Sequence, residues 1–128
     1  MLKEHSFSNK FFKLAKDEYP VVRHKAAVNP NTPADLLERL SKDKNWSVRK
    51  YVTRNPHIPD DLLEKLAEDE EWIVRCYVAY NPHIPDNLLE KLAEDENPEV
   101  RSAVIERAKE LADTDFALYV TAIAKSYD

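Results

Sequence analysis

The chain has 128 residues, a formal net charge of −5 at pH 7, one cysteine and no glycine. This length suits a single domain with a continuous core, and the acidic balance argues against a general electrostatic affinity for nucleic acid or anionic lipid. Phosphate-binding loops and nucleophile elbows need glycine where the backbone approaches a ligand or turns sharply, so Walker, Rossmann and G-x-S-x-G chemistry is excluded.

Cysteine content and hydropathy indicate the cellular compartment. A lone Cys76 allows no intrachain disulfide, and the sequence has neither a basic-then-apolar leader nor an apolar run long enough to span a bilayer. We therefore expect a soluble, cytoplasmic protein without a membrane partner.

An acidic residue and an arginine, six residues apart, recur every 26 residues along the chain. The pairs are Asp17 with Arg23, Asp43 with Arg49, Asp69 with Arg75, and Asp95 with Arg101. Such a period is typical of units that bury their apolar faces by stacking on their neighbours. Because guanidinium binds carboxylates and carbonyls at two points, we interpret the pairs as a structural ladder that joins each turn to the next.

The period divides the single predicted domain, residues 1–128, into consecutive segments. These are an N-terminal cap or partial repeat at 6–21, repeats at 22–47, 48–73 and 74–99, and a C-terminal partial repeat with a capping helix at 100–128.

Each unit contains two helical segments. The first starts at a proline such as Pro59, and Thr32 with Asp35 around Pro33 predicts a capping box for the equivalent segment. The second runs from Trp72 to Asn81 and must end before Pro82, because the residue before proline disfavours helix. One of the two segments is expected to be partly 3₁₀ helix.

The last unit differs from the others at its end. Its second helix is predicted to run from Pro98 through Leu111, and Thr114 is placed to cap a final helix. We expect that helix to cover the open end of the stack; a partner-binding or dimerising helix is the alternative. Its predicted apolar stripe consists of Phe116, Tyr119, Val120, Ile123 and Tyr127.

The pattern V-R-x-x-V-x-x-N-P-x-x-P-x-x-L-L-x-x-L-A-x-D resembles the leucine-rich repeat variant family. Its L-A-x-D-x-x-x-x-V-R part also resembles HEAT repeats, in which an aspartate and an arginine six apart form an internal ladder. The resemblance implies an all-α, right-handed α-solenoid of short helical hairpins, with mixed α and 3₁₀ helices and terminal capping helices. Some members of the variant family hold an iron–sulfur cluster, which needs about four thiolates. Because this chain has only Cys76, we expect no cofactor.

The second segments present the best candidate surface for a partner. With the valines facing inward, helical spacing directs aromatic and basic side chains outward, and such residues are enriched at interface centres. Between units Lys50 becomes Cys76 and Arg54 becomes Tyr80, so the surface varies. Packing between units is the alternative role for the tryptophans. The predicted partner-binding residues are Lys25, Trp46, Lys50, Tyr51, Arg54, Trp72, Tyr77 and Tyr80.

Other chemistry-bearing residues do not combine into sites. His57 and His83 lie about 10 Å apart if units stack, too far to share a metal ion. Cys76 lacks a Cys-His-Asn motif, and the acidic run that begins at Glu68 lacks the geometry of an EF-hand. We therefore expect neither a metal nor catalysis.

Three functions remain in order of preference. The first is a non-enzymatic module that binds a protein or peptide, as an adaptor, scaffold or immunity-type inhibitor. The second is nucleic-acid binding through the same face, where cations alternate with tyrosines. The third is an enzyme, for which no acid, base or nucleophile set can be named.

Overall fold

The computed structural model describes residues 10–111 and 114–127, and within these ranges all regular secondary structure is α-helical. The expected 3₁₀ segments do not occur in the described residues, because even the shortest helices keep α-helical hydrogen bonding. The helices are α1 (residues 10–15), α2 (Pro20–Val28), α3 (Ala34–Leu40), α4 (Trp46–Val52), α5 (Asp60–Leu66), α6 (Trp72–Ala79), α7 (Asp86–Ala93), α8 (Pro98–Glu110) and α9 (Asp115–Lys125).

The helices that carry the leucines, α3, α5 and α7 (first-type helices), each begin directly after a proline rather than at it, and the helices that carry the ladder arginines, α2, α4, α6 and α8, are the second-type helices. Pro33 is the N-cap of α3 and Pro85 that of α7, and neither cap has a side-chain hydrogen bond. The predicted capping box at Thr32 is therefore wrong. Its buried hydroxyl instead donates to the Ala26 carbonyl at 2.6 Å, which satisfies an acceptor in the last turn of α2.

Helices α4, α6 and α8 each follow a polar turn. Asn45 caps α4 by accepting a hydrogen bond from the Ser47 N–H at 2.9 Å, and Asn97 does the same for α8. Helix α6 ends at Ala79, two residues before the predicted end at Asn81. The reason is local: the Asn81 side chain accepts from the His83 N–H at 2.8 Å and so forms the following turn.

The chain forms two compact units, with the boundary between Leu62 and Leu63 in helix α5. In the first unit, α2 packs against α3 and α4, and α3 also contacts α4. Leucines of the first-type helix and valines of the second-type helix fill the core. The buried apolar residues of these elements are Phe11, Ala15, Ala26, Ala27, Leu36, Leu37, Leu40, Val48 and Val52.

The buried side-chain amide of Asn55 forms hydrogen bonds between two turns of the first unit. Asn55 has no exposed surface, and its side-chain N–H groups donate to the carbonyls of Ala27 at 2.8 Å and Asn29 at 2.9 Å. Its oxygen accepts from the His57 N–H at 2.9 Å. The Asn-Pro turn therefore satisfies the end of the preceding second-type helix, α2.

In the second unit, α8 packs against α6, α7 and α9, and α7 contacts α6 and α9. Helix α8 continues to Glu110 because Ala108 replaces the proline of the earlier units. Arg107 occupies the position of the turn asparagine, and its Nη2 donates to the Pro82 carbonyl at 3.1 Å.

The buried face of α9 differs from the predicted stripe. Thr114 caps the helix, accepting from the Ala117 N–H at 3.0 Å as expected. The fully buried positions are Ala117, Val120 and Ala124, whose small side chains allow close helix packing. Tyr119 and Tyr127, which were predicted to be in the stripe, are about half exposed, at 50% and 51%.

Candidate functional site

The arginine of each Asp–Arg pair makes two kinds of contact, and Arg23 shows both. Its Nη1 donates to the carbonyls of Asp17 at 2.7 Å and Glu18 at 3.1 Å. Its Nε and Nη2 donate to the two carboxylate oxygens of Asp43, at 2.7 and 3.1 Å. One guanidinium thus joins the turn before its own helix to the aspartate of the next Asp–Arg pair.

The second unit repeats this geometry at Arg75. Its Nη1 donates to the Asp69 carbonyl at 2.7 Å, while Nε and Nη2 bind the Asp95 carboxylate at 2.8 and 3.1 Å. The side chains of Arg75 and Asp95 are only 11% and 10% exposed. The hydrogen bond with Asp95 raises the pKa of the Arg75 guanidinium, so the guanidinium remains charged.

The other two ladder arginines keep the carbonyl contact. Arg49 Nη1 donates to the Asp43 carbonyl at 2.6 Å, and Arg101 Nη1 donates to the Asp95 carbonyl at 2.7 Å. The Arg101 guanidinium also lies 5.1 Å from the ring centroid of Tyr127, a cation–π contact that explains the position of this tyrosine.

An aromatic and basic cluster occupies the second-helix face of the first unit. Lys50 Nζ lies 5.6 Å from the ring centroid of Trp46 and 4.8 Å from that of Tyr51. The Tyr51 ring in turn stacks on His24, with centroids 4.3 Å apart and planes tilted by 38°. Because Trp46 remains 38% exposed, the cluster presents ring surface as well as positive charge to solvent.

His24 connects this cluster to the cap of α4. Its Nε2 lies 2.8 Å from the Ser47 hydroxyl oxygen, within the first turn of that helix. Partial burial lowers the pKa of His24 below its usual 6.5, and the positive charges of Lys50 and Arg23 lower it further. The imidazole is therefore held neutral at pH 7. His24 is not among the partner-binding residues predicted from the sequence.

The equivalent face of the second unit is more apolar. Tyr77 and Tyr80 meet edge to face, with ring centroids 6.0 Å apart and an interplanar angle of 86°. Trp72 is 39% exposed and Tyr80 47% exposed. Partial burial raises the pKa of the Tyr80 hydroxyl, so it acts as a neutral donor and acceptor.

Cys76 does not belong to this surface. Although it stands where Lys50 stands in the preceding repeat, it is only 7% exposed, and so the comparison of the two repeats misplaced this substitution on the surface. Burial, with smaller contributions from the negative charges of Asp95 and Glu99, raises the pKa of the thiol to about 11. An activated nucleophile needs the opposite shift.

Charge is divided between the two kinds of helix. Helices α2, α4 and α6 contain no carboxylate, whereas α3, α5 and α7 each begin with aspartate in their first turn. Lys25 on α2 and Arg54, directly after α4, are exposed. The charged side chains of α2, α4 and α6 are therefore all basic, whereas α8 carries Glu99, Glu106 and Glu110 beside its basic residues.

The remaining polar candidates serve local contacts. His57 Nδ1 lies 3.1 Å from the Pro30 carbonyl oxygen, next to the Asn55 turn. Across residues 10–111 and 114–127, no group of three or more His, Cys, Asp or Glu side chains could hold a metal ion. Within the same ranges, no helix is both long enough and apolar enough to cross a bilayer.

A groove of about 880 Å³ lies in the first unit, and the sequence analysis did not identify it. Its lining includes Asp17, Glu18 and Arg39. Nearby, the Phe12 ring carries two cations, with Lys16 Nζ 4.2 Å and the Arg39 guanidinium 5.2 Å from its centroid. A comparison of the repeats could have indicated that this region is unusual, because Phe12 stands at a position that glutamate occupies in the later repeats.

Comparison with known proteins gives no relative from which to transfer a function. No family model matches the chain. No curated protein and no solved structure shows significant similarity to it.

Proposed function

We propose that the chain is a non-enzymatic module that binds a protein or peptide through the second-helix face. The observation that supports this most is the set of partly exposed aromatic rings on helices without carboxylates. Trp46 and Trp72 are 38% and 39% exposed at equivalent positions, and each is followed five residues later by a tyrosine, Tyr51 or Tyr77. Rings of this kind bury a large area on binding and lose little side-chain entropy.

The two clusters suit different contacts. Lys50, placed over the rings of Trp46 and Tyr51, would pair with a carboxylate of a partner while the rings pack on its apolar groups. Tyr77 and Tyr80 would add apolar contact with hydroxyl groups at the edge. The predicted contacts remain Lys25, Trp46, Lys50, Tyr51, Arg54, Trp72, Tyr77 and Tyr80.

The proposal extends to architecture and location. The 26-residue period and the recurring arginine contacts within each unit support a right-handed α-solenoid, of the kind that the leucine-rich repeat variant and HEAT families form. We place the protein in the cytoplasm, where it acts without cofactor, metal or membrane.

Affinity capture from a lysate of the source cells tests the siting of the face. The wild-type full chain is the bait, the lysate is treated with nuclease, and the Tyr77→Ala/Tyr80→Ala variant is the comparison. The control is Tyr19→Ala, which removes a tyrosine that is 61% exposed and lies outside the face. We expect a protein that the wild type and the control retain and that the double variant loses at least about tenfold, the scale of two hot-spot residues. Circular dichroism confirms that each variant stays folded. Equal capture by all three chains would refute the siting.

A second candidate is binding of single-stranded nucleic acid on the same face. The specific observation is that Lys25, Lys50 and Arg54 accompany stacking-competent rings on helices free of carboxylates. Titration with a fluorescent oligothymidine at rising salt separates the two functions. Affinity that survives at about 150 mM salt and falls in Lys50→Ala would favour nucleic acid, since a weak non-specific contact disappears under those conditions.

A further inference from the structure

Helix α9 has an exposed line of side chains on the side opposite its buried face. The helix contacts α7 and α8, and its buried residues are Ala117, Val120 and Ala124. Spacing of three, four and three residues along a helix is that of the contact positions of a coiled coil, and it places side chains on one line. The exposed residues with this spacing, called the outer stripe here, are Asp115, Leu118, Ala122 and Lys125.

The middle of the outer stripe is apolar. Leu118 is 63% exposed, the largest value for any large apolar side chain in the described residues. Ala122 lies one turn further along and is small, so another helix can approach closely there. Tyr119 flanks the stripe at 50% exposure, and its hydroxyl donates to Glu90 Oε1 at 3.0 Å. A contact at this place would remove a continuous apolar surface from water.

Opposite charges stand at the two ends of the outer stripe. Asp115 is in the first turn of α9 and Lys125 is in the last. Across residues 10–111 and 114–127, neither side chain has an ion-pair partner. The stripe itself has no net charge, so two copies of it do not repel each other. A stripe of one sign could not pair with its own copy in this way.

We propose that the outer stripe binds the outer stripe of a second copy of this chain, with the two α9 helices antiparallel. A twofold axis at the level of Val120 places Leu118 beside the second copy's Ala122 and Asp115 beside the second copy's Lys125. Each contact then occurs twice. A parallel pair would instead bring the two aspartates together and the two lysines together, so the charges favour the antiparallel arrangement.

The contact is small, and the association is therefore weak. Helix α9 has 11 residues and is about 16 Å long. A stable interface of standard size buries about 800 Å² on each partner, which one helix of this length does not supply. We expect a dissociation constant of about 0.05–0.5 mM for the dimer. This contact does not involve the second-helix face, so the inference is independent of the proposed function.

Sedimentation equilibrium of the full chain from about 0.02 to 1 mM, at about 50 mM salt, measures self-association. We expect a monomer–dimer equilibrium in the wild type. Leu118→Asp places a carboxylate of each copy at the centre of the contact and should weaken the dimer at least about tenfold. A wild type that stays monomeric at about 1 mM, or a Leu118→Asp variant with an unchanged dissociation constant, would overturn the proposal.

Charge reversal tests the arrangement of the two helices. Asp115→Lys places like charges at both ends of the dimer and should weaken it at least about fivefold, whereas Asp115→Lys/Lys125→Asp should return to within about twofold of the wild type. The matched control is Asp60→Lys, because Asp60 is exposed in the first turn of α5 and the net charge changes equally. Circular dichroism confirms that each variant is folded.

Two results of the charge reversal would contradict the antiparallel contact. One is equal weakening by Asp60→Lys and Asp115→Lys, which would indicate a general effect of net charge. The other is a double variant that dimerises no better than Asp115→Lys. Because Tyr77 and Tyr80 are unchanged in all these variants, either result leaves the proposed function to its own test.

Discussion

Replacing Asp95 with asparagine tests how much the ladder contributes to stability. In the wild type one oxygen accepts from the Asn97 N–H at 2.9 Å, and both oxygens accept from Arg75. An amide has one oxygen and one nitrogen, so Asp95→Asn must either lose the turn or point its NH₂ at the guanidinium. Either choice leaves Arg75 without its full set of acceptors.

The size of the effect follows from burial. Since the two side chains are only 11% and 10% exposed, removal of the carboxylate charge leaves a largely buried guanidinium without its counterion. Breaking such a pair by changing one partner costs about 3 kcal/mol. Asp17→Asn makes the same chemical change in the same kind of turn, where the described residues place no guanidinium on the carboxylate, and should cost less than about 0.5 kcal/mol.

Urea denaturation of the wild type and the two variants measures this difference. Tryptophan fluorescence and circular dichroism are both recorded, because coincident transitions are needed before a single free energy of unfolding is assigned. We expect Asp95→Asn to lower the midpoint by about 1–2 M relative to Asp17→Asn. If the two variants agree within about 0.5 kcal/mol, the two-point arginine contact does not stabilise the fold and the reasoning fails.

The further predictions concern three side chains: Asn55, Cys76 and His24. Asn55→Ala should lower the free energy of unfolding by about 2–4 kcal/mol, because two carbonyls and one N–H lose their partner; a loss below about 1 kcal/mol in urea would contradict this. Cys76 should react with iodoacetamide at least about a hundredfold more slowly than glutathione at pH 8. A reaction rate close to that of glutathione would contradict the prediction. The pKa of about 11 in the folded protein exceeds the usual thiol value of 9.0, so Cys76 stabilises the fold below pH 9 and loses that contribution between pH 9 and 11. The free energy of unfolding of the wild type and of Cys76→Ala, measured across this range, checks the sign. NMR titration of His24 should give a pKa below 6.5, and Lys50→Met should raise that pKa. Because the pKa of His24 is lowered in the folded protein, its contribution to the free energy of unfolding is lost as the pH falls through that pKa.

Much of the helical pattern could be predicted because it depends on local chemistry. Proline fixed the start of first-type helices such as α7 and the end of second-type helices, to within one or two residues. Thr32 shows where local reasoning failed. The residue fits a capping box by spacing, but its hydroxyl bonds to a carbonyl six residues earlier, a tertiary preference that spacing does not encode.

The predicted α9 face was wrong in part, for a related reason: Val120 is buried as predicted, but Tyr119 and Tyr127 are half exposed. The prediction chose the largest apolar residues, whereas the helix buries alanines such as Ala117 and Ala124, which let it approach its neighbours closely. Tyr127 then remains outside and covers the guanidinium of Arg101. Hydropathy alone does not distinguish a large residue that fills a core from one that covers a cation.

The candidate site was predictable in composition but not in geometry. Helical spacing brought Lys50, Trp46 and Tyr51 to one face, and the structure places them in contact. The stacking of His24 on Tyr51 depends on the approach of two helices and could not be read from either one alone. Cys76 was misplaced because a change between repeats was taken as a surface change.

The arginine contacts also restrict how this chain can change its length. Arg23 and Arg75 each bind an aspartate 20 residues later and a carbonyl six residues earlier, and the two intervals together make one 26-residue period. An insertion or deletion of 26 residues keeps every arginine at both distances, whereas a deletion of 25 leaves one guanidinium facing the wrong residue. We expect natural length variants of this protein to differ by whole periods.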